Sequence, residues 1–163
     1  MPKEQAIQSS QDPLPQMIYI EIDARGLSVP RSATGQDLYR LANAPPHAAL
    51  YREVDGAAPD QLVANSPDAI PLRDRERFHL GEPPQRGYVI VVNARKKNVE
   101  QGKLSFMQVV ALAFDPVPDG PYWVFTVSYR NGPPSNPEGS MTESEFVRIK
   151  NGMIFNVTAT DRS

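Results

Sequence analysis

The sequence of 163 residues is long enough for one ordinary domain or for two very small ones. It contains no cysteine, which excludes disulfides, a thiolate nucleophile or metal ligand, and a conjugating enzyme that carries its substrate as a thioester. The net charge of −2 argues against a nucleic-acid-binding protein, whose domains are usually strongly basic. The 17 prolines favour short elements joined by many turns, because proline cannot donate to a sheet or sit inside a helix.

The N-terminal segment is polar and has no apolar signal core, so we expect a flexible leader over residues 1–16. No stretch of the chain approaches the roughly 18 apolar residues that a membrane span needs. We therefore expect a cytoplasmic protein that does not associate with membranes.

Residues 17–29 have the pattern of a β-hairpin. The first strand, residues 17–22, has isoleucines at alternate positions, which is the period of a half-buried strand. Residues 23–26 are a turn signal, and residues 27–29 alternate again. The chain is therefore predicted to begin its structure at Met17.

A helix is predicted to follow, with Thr34 as its N-cap and Asp37 close to completing a capping box. Its apolar face is predicted to consist of Leu38, Leu41 and Ala42. Further strands are predicted at residues 49–53, 61–63 and 77–80. The Pro- and Gly-containing residues 82–87 are the best linker signal in the chain.

The same pattern then begins again. A strand is predicted at residues 88–92, and the turn Asp23-Ala24-Arg25 recurs as Asn93-Ala94-Arg95, 70 residues later. Ser105 with Gln108 predicts a second capping box, before a helix whose apolar face is predicted to contain Val109, Leu112 and Ala113.

The C-terminal strands complete the second copy. Residues 123–129 form a strong strand pattern, with one face predicted to be in the core: Trp123, Phe125, Val127 and Tyr129. Asn151-Gly152 predicts a two-residue hairpin between residues 146–150 and 153–157.

A repeat of about 70 residues is too long for a solenoid and indicates duplicated small domains. The order of hairpin, helix and further strands fits an α+β fold, in which one helix packs across a face of a mixed sheet, as in the β-grasp. We predict two such domains in tandem. The predicted segments are a leader (1–16), a first domain (17–82), a linker (83–87), a second domain (88–158) and a C-terminal tail (159–163).

The second half resembles the multi-ubiquitin domain of bacterial ubiquitin-like operons. The most specific matching stretch runs from residue 150 to residue 163, and further matches occur at residues 112–114, at Tyr122 with residues 125–130, and at residues 137–140. The first half resembles the same fold more loosely, through residues 34–38 and 77–78. A chain with two such domains resembles the interferon-stimulated double-ubiquitin modifier of animals and its bacterial counterpart in antiphage defence.

The resemblance implies a protein modifier rather than an enzyme, with no catalytic residue, cofactor or metal of its own. Its C-terminal carboxyl would be joined to a target amine by an E1-like activating enzyme and an E2-like conjugating enzyme. A metal-dependent, JAB-type peptidase would remove it again. The implied target is a phage structural protein, and no nucleic acid or membrane is an implied partner.

The implied conjugation and processing tail is Thr158, Ala159, Thr160, Asp161, Arg162 and Ser163. Ubiquitin ends in two glycines, which fit a narrow active-site channel because they have no Cβ, whereas the last glycine here is Gly152. Three possibilities stay open. A peptidase trims the tail, the activating enzyme accepts a bulkier terminus, or this protein is not conjugated. A second hypothesis is a non-covalent docking module that binds partners through a sheet face.

Three other features have ordinary structural interpretations. The basic residues 95–97 are interpreted as a solvated turn, although they also suit an acidic partner. Asn151-Gly152 is interpreted as a turn rather than a recognition point. His79, beside Phe78, is interpreted as a strand residue without a metal role. The sequence has no Gly-x-Ser-x-Gly motif, no phosphate-binding glycine loop and no His-Glu-x-x-His motif.

Overall fold

A computed structural model describes residues 14–163. The greater part of the predicted leader, residues 1–13, lies outside the described residues, and residues 14–16 belong to no helix or strand. The elements in chain order are β1 (Met17–Ile22), β2 (Arg25–Pro30), α1 (Gly35–Leu41), β3 (Ala49–Arg52), β4 (Gln61–Val63), β5 (Glu76–Gly81), β6 (Tyr88–Val92), β7 (Arg95–Val99), β8 (Lys103–Ser105), α2 (Phe106–Ala113), β9 (Trp123–Arg130), β10 (Gly139–Met141), β11 (Phe146–Arg148) and β12 (Ile154–Asp161).

The described elements form two units of the same topology. The N-terminal unit, β1 to β5 with α1, has the sheet order β2-β1-β5-β3-β4. The C-terminal unit, β6 to β12 with α2, has the order β7-β6-β12-β9-β10 when read from the matching edge. In each sheet the first and last strands of the unit pair in parallel and the other pairs are antiparallel. The expected α+β class with a β-grasp arrangement is confirmed.

Each unit has its own buried apolar cluster between sheet and helix. In the N-terminal unit Ile20, Leu38 and Phe78 are at most 1% exposed. In the C-terminal unit Ile90, Val109 and Phe155 are fully buried. The predicted inward face of β9 is confirmed, because Val127 and Tyr129 are buried, while Trp123 and Phe125 on the same face are half-buried.

The duplicated turn is shorter than predicted. β2 begins at Arg25 and β7 at Arg95, so the turns contain only Asp23-Ala24 and Asn93-Ala94. All four turn residues have φ between 48° and 65°. Positive φ at both positions is the requirement of a type I′ hairpin turn, which matches the twist of the strands that it joins.

Both predicted helix starts are confirmed. Thr34 and Ser105 accept the N–H of Asp37 and Gln108, whose side chains accept the N–H of the two caps in return. The predicted apolar face of α1 is only partly right, because Leu41 is 40% exposed. The helix ends at this residue.

The predicted hairpin around Asn151-Gly152 is wrong. β11 pairs with β8 in a separate two-stranded sheet, whereas β12 pairs with β9 and β6. Of the two turn residues only Gly152 has positive φ, at 79°, so the turn lacks the geometry that joins paired strands. Asn151 instead accepts the N–H of Val89. The turn carries the chain from one sheet to another.

Among residues 14–163, no helix is long and apolar enough to cross a membrane.

Candidate functional site

The structure places most of the predicted tail inside a strand. β12 continues to Asp161, three residues beyond the predicted end of the second domain at residue 158. Its residues pair one by one with β9, from Thr158 opposite Thr126 to Asp161 opposite Trp123. The predicted boundary between domain and tail therefore falls within a paired strand.

The last two residues lie beyond the strand but keep backbone contacts. The N–H of Arg162 donates to the carbonyl of Tyr122 at 2.9 Å, and the N–H of Ser163 donates to Asp161 Oδ1 at 2.9 Å. The side chains from Thr158 to Ser163 are exposed except that of Ala159, which is half-buried. A partner can thus contact these side chains directly, but it must first separate the backbone from β9 to enclose it in a channel.

One edge of the C-terminal strand is open. β6 pairs with β12 only at Ile154 and Phe155. The side chain of Asn93 then binds both the N–H and the carbonyl of Val157, at 2.8 and 2.9 Å. Because backbone groups alternate along a strand, those of Ala159 and Asp161 point to the same side. No strand of residues 14–163 pairs with them there.

The outer face of each sheet, opposite its helix, is the other predicted interaction surface. In the C-terminal unit this face is open: Val89 is 44% exposed, and Thr126 and Thr158 are also exposed. In the N-terminal unit it carries Tyr51 and His79, whose rings stack 5.5 Å apart. His79 is only 7% exposed although it points away from the core of its own unit.

Two basic side chains of the C-terminal unit bind the loop beside His79, whose Nε2 lies 3.7 Å from Asp60 Oδ2. Lys103 on β8 donates to the carbonyls of Val54, Gly56 and Ala58 in the loop between β3 and β4, and its Nζ lies 3.2 Å from Asp60 Oδ1. Arg148 on β11 makes two hydrogen bonds to the Asp60 carboxylate. We call Lys103 and Arg148, with Glu53, Asp60 and His79, the junction cluster.

The charges of the junction cluster influence one another. Burial raises the pKa of Asp60, but hydrogen bonds from Arg148 and from the N–H of Val54 outweigh it and hold the pKa below its ordinary value of 3.8. The pKa of Glu53 is also lowered, chiefly by His79 and against the effect of burial. His79 Nδ1 lies 3.5 Å from Glu53 Oε1, and its alignment leaves the nitrogen without a regular hydrogen bond. Both carboxylates are therefore held in the charged form.

A cleft of about 830 Å³ lies between the two units, and its lining includes Asp60, His79, Lys103 and Arg148 of the junction cluster. Tyr51 and Tyr88 line it, together with the linker prolines Pro83 and Pro84. Tyr51 donates to the carbonyl of Glu82 at 2.7 Å, and burial raises the pKa of its hydroxyl to about 12. The linker is thus attached to the N-terminal sheet rather than free at both ends.

Sequence reasoning missed the junction cluster. Its members are separated by up to 95 residues, from Glu53 to Arg148, and neither Lys103 nor Arg148 stands out in composition or spacing. A local sign is that Lys103 lies two residues before the cap Ser105, at a position where the first repeat has an uncharged residue, Ser32. His79 lies in β5 as predicted. Within the described part of the chain, no group of three or more acidic or histidine side chains is arranged to hold a metal ion.

The other predicted features are placed as follows. Arg95 and Lys96 are exposed and Lys97 is half-buried, but all three are strand residues of β7, so the interpretation as a turn is wrong. Asn151 is more than a turn residue, because it also donates to Glu82 at 3.2 Å and to Gln85 at 2.6 Å. It therefore connects the C-terminal unit to the linker.

Comparison with known protein families finds a similarity for the C-terminal unit. Residues 88–161 match the family model described as Multiubiquitin. The range begins with β6 and ends with β12, so it covers the whole C-terminal unit and less than half of the 163 residues. No curated protein matches the chain. The match supports a multi-ubiquitin-like domain at residues 88–161, built on the ubiquitin-like β-grasp fold.

Proposed function

We propose that the chain is a ubiquitin-like protein modifier built from two β-grasp domains in tandem. The proposed domains are residues 17–82 and 88–158, joined by the linker 83–87. The carboxyl group at the end of the tail would be joined to an amine of a target protein by partner activating and conjugating enzymes. The observation that carries the proposal is the Multiubiquitin match over a β-grasp unit whose last strand leads into the exposed residues 160–163.

The setting that we propose is bacterial antiviral defence in the cytoplasm. The chain would not be an enzyme, and a metal-dependent peptidase would remove it from its targets, among them a phage structural protein. In this proposal the chain supplies its terminal carboxyl and a recognition surface, and the partner enzymes supply the chemistry. Fold alone does not give function, so the proposal depends on the family match and the tail.

The tail must separate from β9 before it reacts. Thr158 to Asp161 are paired with β9, and none of the residues after Gly152 is a glycine. An activating enzyme would have to replace the contacts of β9 with its own, which β-strand addition can provide. We therefore propose that the enzyme binds the tail as an extended strand.

Intact mass of proteins from cells that express the chain with its neighbouring genes tests the proposal. We expect target proteins heavier by about the mass of the chain, 18.1 kDa less one water. Removal of Asp161, Arg162 and Ser163 should abolish the adduct, whereas an N-terminal tag should not. The absence of any adduct with the intact chain would overturn the proposal.

A non-covalent docking module is the second candidate. Pairing of the tail with β9 favours it, and so does the open outer face around Val89, Thr126 and Thr158. In this case a partner would be captured through the sheet face and lost in denaturant. Val89→Asp should weaken capture, while removal of residues 161–163 should not change it.

A further inference from the structure

The loop between β3 and β4 forms an acidic pocket on the outer face of the N-terminal sheet. Carbonyls at alternate positions, Val54, Gly56 and Ala58, converge on one point, and the carboxylate of Asp60 lies next to them. Four oxygens in this arrangement fit a compact cation such as an ammonium group, which is a donor without an acceptor.

The neighbouring part of the pocket fits a guanidinium group. Asp60 accepts two hydrogen bonds from Arg148, and Arg148 Nη2 also lies 3.6 Å from Glu53 Oε2. A bidentate contact of this kind fixes orientation as well as distance. The pocket thus has one position for a lysine and one for an arginine.

Burial makes this contact different from a surface ion pair. The side chains of Lys103 and Asp60 are 6% and 9% exposed, and that of Arg148 is 27% exposed. Exposed ion pairs contribute little to stability, but removal of one partner of a buried pair leaves an uncompensated charge. Even a small separation of the two units is therefore unfavourable in free energy. Any gap leaves these charges and three carbonyls without their partners unless water replaces them all.

We propose that the pocket is a docking site for a lysine–arginine pair, filled within the chain by Lys103 and Arg148, and that this contact holds the two units as one rigid body. The contact covers the outer face of the N-terminal sheet at His79. On the corresponding face of the C-terminal unit, Val89, Thr126 and Thr158 remain exposed. This inference does not depend on the proposed modifier function.

The two histidines of the chain provide a direct test, because His47 is exposed and His79 lies in the junction cluster. Diethyl pyrocarbonate modification of the full chain, read by mass spectrometry, should modify His47 quickly and His79 at least about tenfold more slowly. Equal rates in the unaltered chain would overturn the proposal, and this measurement needs no variant.

Variants then identify the cause of the protection. In the Lys103→Met, Arg148→Met double variant, His79 should react at a rate approaching that of His47. The matched control, Lys96→Met with Arg130→Met, removes two exposed charges from the same unit and should leave His79 protected. Continued protection in the first variant would overturn the proposal.

Backbone 15N relaxation distinguishes separation of the units from unfolding. The unaltered chain should tumble with one correlation time for both units, and the double variant with two shorter ones while both sets of dispersed signals persist. If the double variant does not fold, the Lys103→Ala variant is used instead. Ammonium chloride is then added, so that the ammonium ion can occupy the position of the Lys103 side chain. Ammonium should restore protection of His79, and tetramethylammonium, which cannot donate hydrogen bonds, should not.

A second copy of the chain is the competing occupant of the pocket, through exchange of C-terminal units. Light scattering over a dilution series separates the two cases. A monomer with His79 protected at every concentration supports the proposal. Protection that appears only with a dimer would assign the pocket to the second copy and overturn it.

Discussion

The two units share one topology but end differently. Phe78 and Phe155 are equivalent, because each accepts the N–H of the first residue of its hairpin turn, Asp23 and Asn93 respectively. Two residues further on, Leu80 and Val157 are also equivalent, because the N–H of each donates to the side chain of the same turn residue. By this register Glu82, at the start of the linker, corresponds to Ala159 in the predicted tail.

The difference lies in the neighbouring strand rather than in the segment itself. β3 has four residues and β9 has eight. Thr126 opposite Thr158 matches Ala49 opposite Gly81, so the extension of β9 at this end is Trp123 to Phe125, which pairs with residues 159–161. The N-terminal unit has no such extension, so the chain leaves its sheet after Gly81. The comparison shows that the length of one strand decides whether the end of a β-grasp unit is part of the sheet or a connection.

Substitution of the two equivalent phenylalanines, Phe78 and Phe155, is the strongest test of whether the two cores are independent. Phe155→Ala and Phe78→Ala should each destabilise their own unit by about 3–5 kcal/mol, because both side chains are almost completely buried. Hydrogen exchange resolved by residue should show the loss of protection confined to the unit that carries the substitution. Equal loss in both units would show that they unfold as one.

A second difference between the units is that Asn93 both donates to and accepts from Val157, whereas Asp23 only accepts from Leu80. Replacing each turn residue with its counterpart tests this difference. Asn93→Asp should cost about 1–3 kcal/mol, because a carboxylate cannot donate to the carbonyl of Val157. Asp23→Asn should be close to neutral, since the contact of Asp23 with the N–H of Leu80 needs only an acceptor. Thermal or urea unfolding measures both variants, and equal effects would contradict the assigned contacts.

Val124→Pro should release the end of the tail at a cost of about 1–2 kcal/mol. Val124 lies opposite Thr160, two residues from the Tyr122–Arg162 contact, so its N–H faces β12, and proline removes it. Amide exchange of residues 159–162 should accelerate, whereas Val124→Ala should leave it unchanged. If the modifier function is correct, the proline variant should react with the activating enzyme at least as fast as the unaltered chain.

Lowering the pH is expected to have the smallest effect. The pKa values of Asp60 and Glu53 are lowered in the folded chain, so the ionised carboxylates stabilise the folded state. This stabilisation is complete above their ordinary pKa values of 3.8 and 4.5, and it is lost as pH falls through the lowered values. The groups that face them are His79, Lys103, Arg148 and Arg77. Scattering dimensions should be the same at about pH 7 and about pH 5 and should increase only near about pH 3. Expansion already at about pH 5, with unchanged circular dichroism, would contradict this assignment.

Local signals in the sequence predicted the elements well. The capping pairs at Thr34 and Ser105 and the alternation in β1 and β9 act over a few residues, so the pattern determines the structure. Asn151-Gly152 misled the prediction because a turn signal does not say whether the strands on either side pair with each other. That outcome depends on β8, which lies more than 40 residues away and pairs with β11.

The candidate site was harder to predict for the same reason. The tail is paired because β9 extends past the sheet core. The junction cluster exists because Lys103 and Arg148 lie on the small sheet formed by β8 and β11. The N-terminal unit has only a single bridge, between Thr34 and Ala69, in place of that sheet. Both depend on how distant elements are aligned. A residue pattern read within one repeat does not contain that information.

The junction cluster also determines an order of events during synthesis. Asp60 precedes Arg148 by 88 residues, and each unit has its own core, so the N-terminal unit can fold while the C-terminal unit is still being made. During that interval the carbonyls of the β3–β4 loop and the two carboxylates face water or whatever cation is present. Docking of the units through Arg148 therefore cannot be complete until residue 148 has been made, and a chain interrupted before it lacks the two hydrogen bonds that Arg148 donates to Asp60.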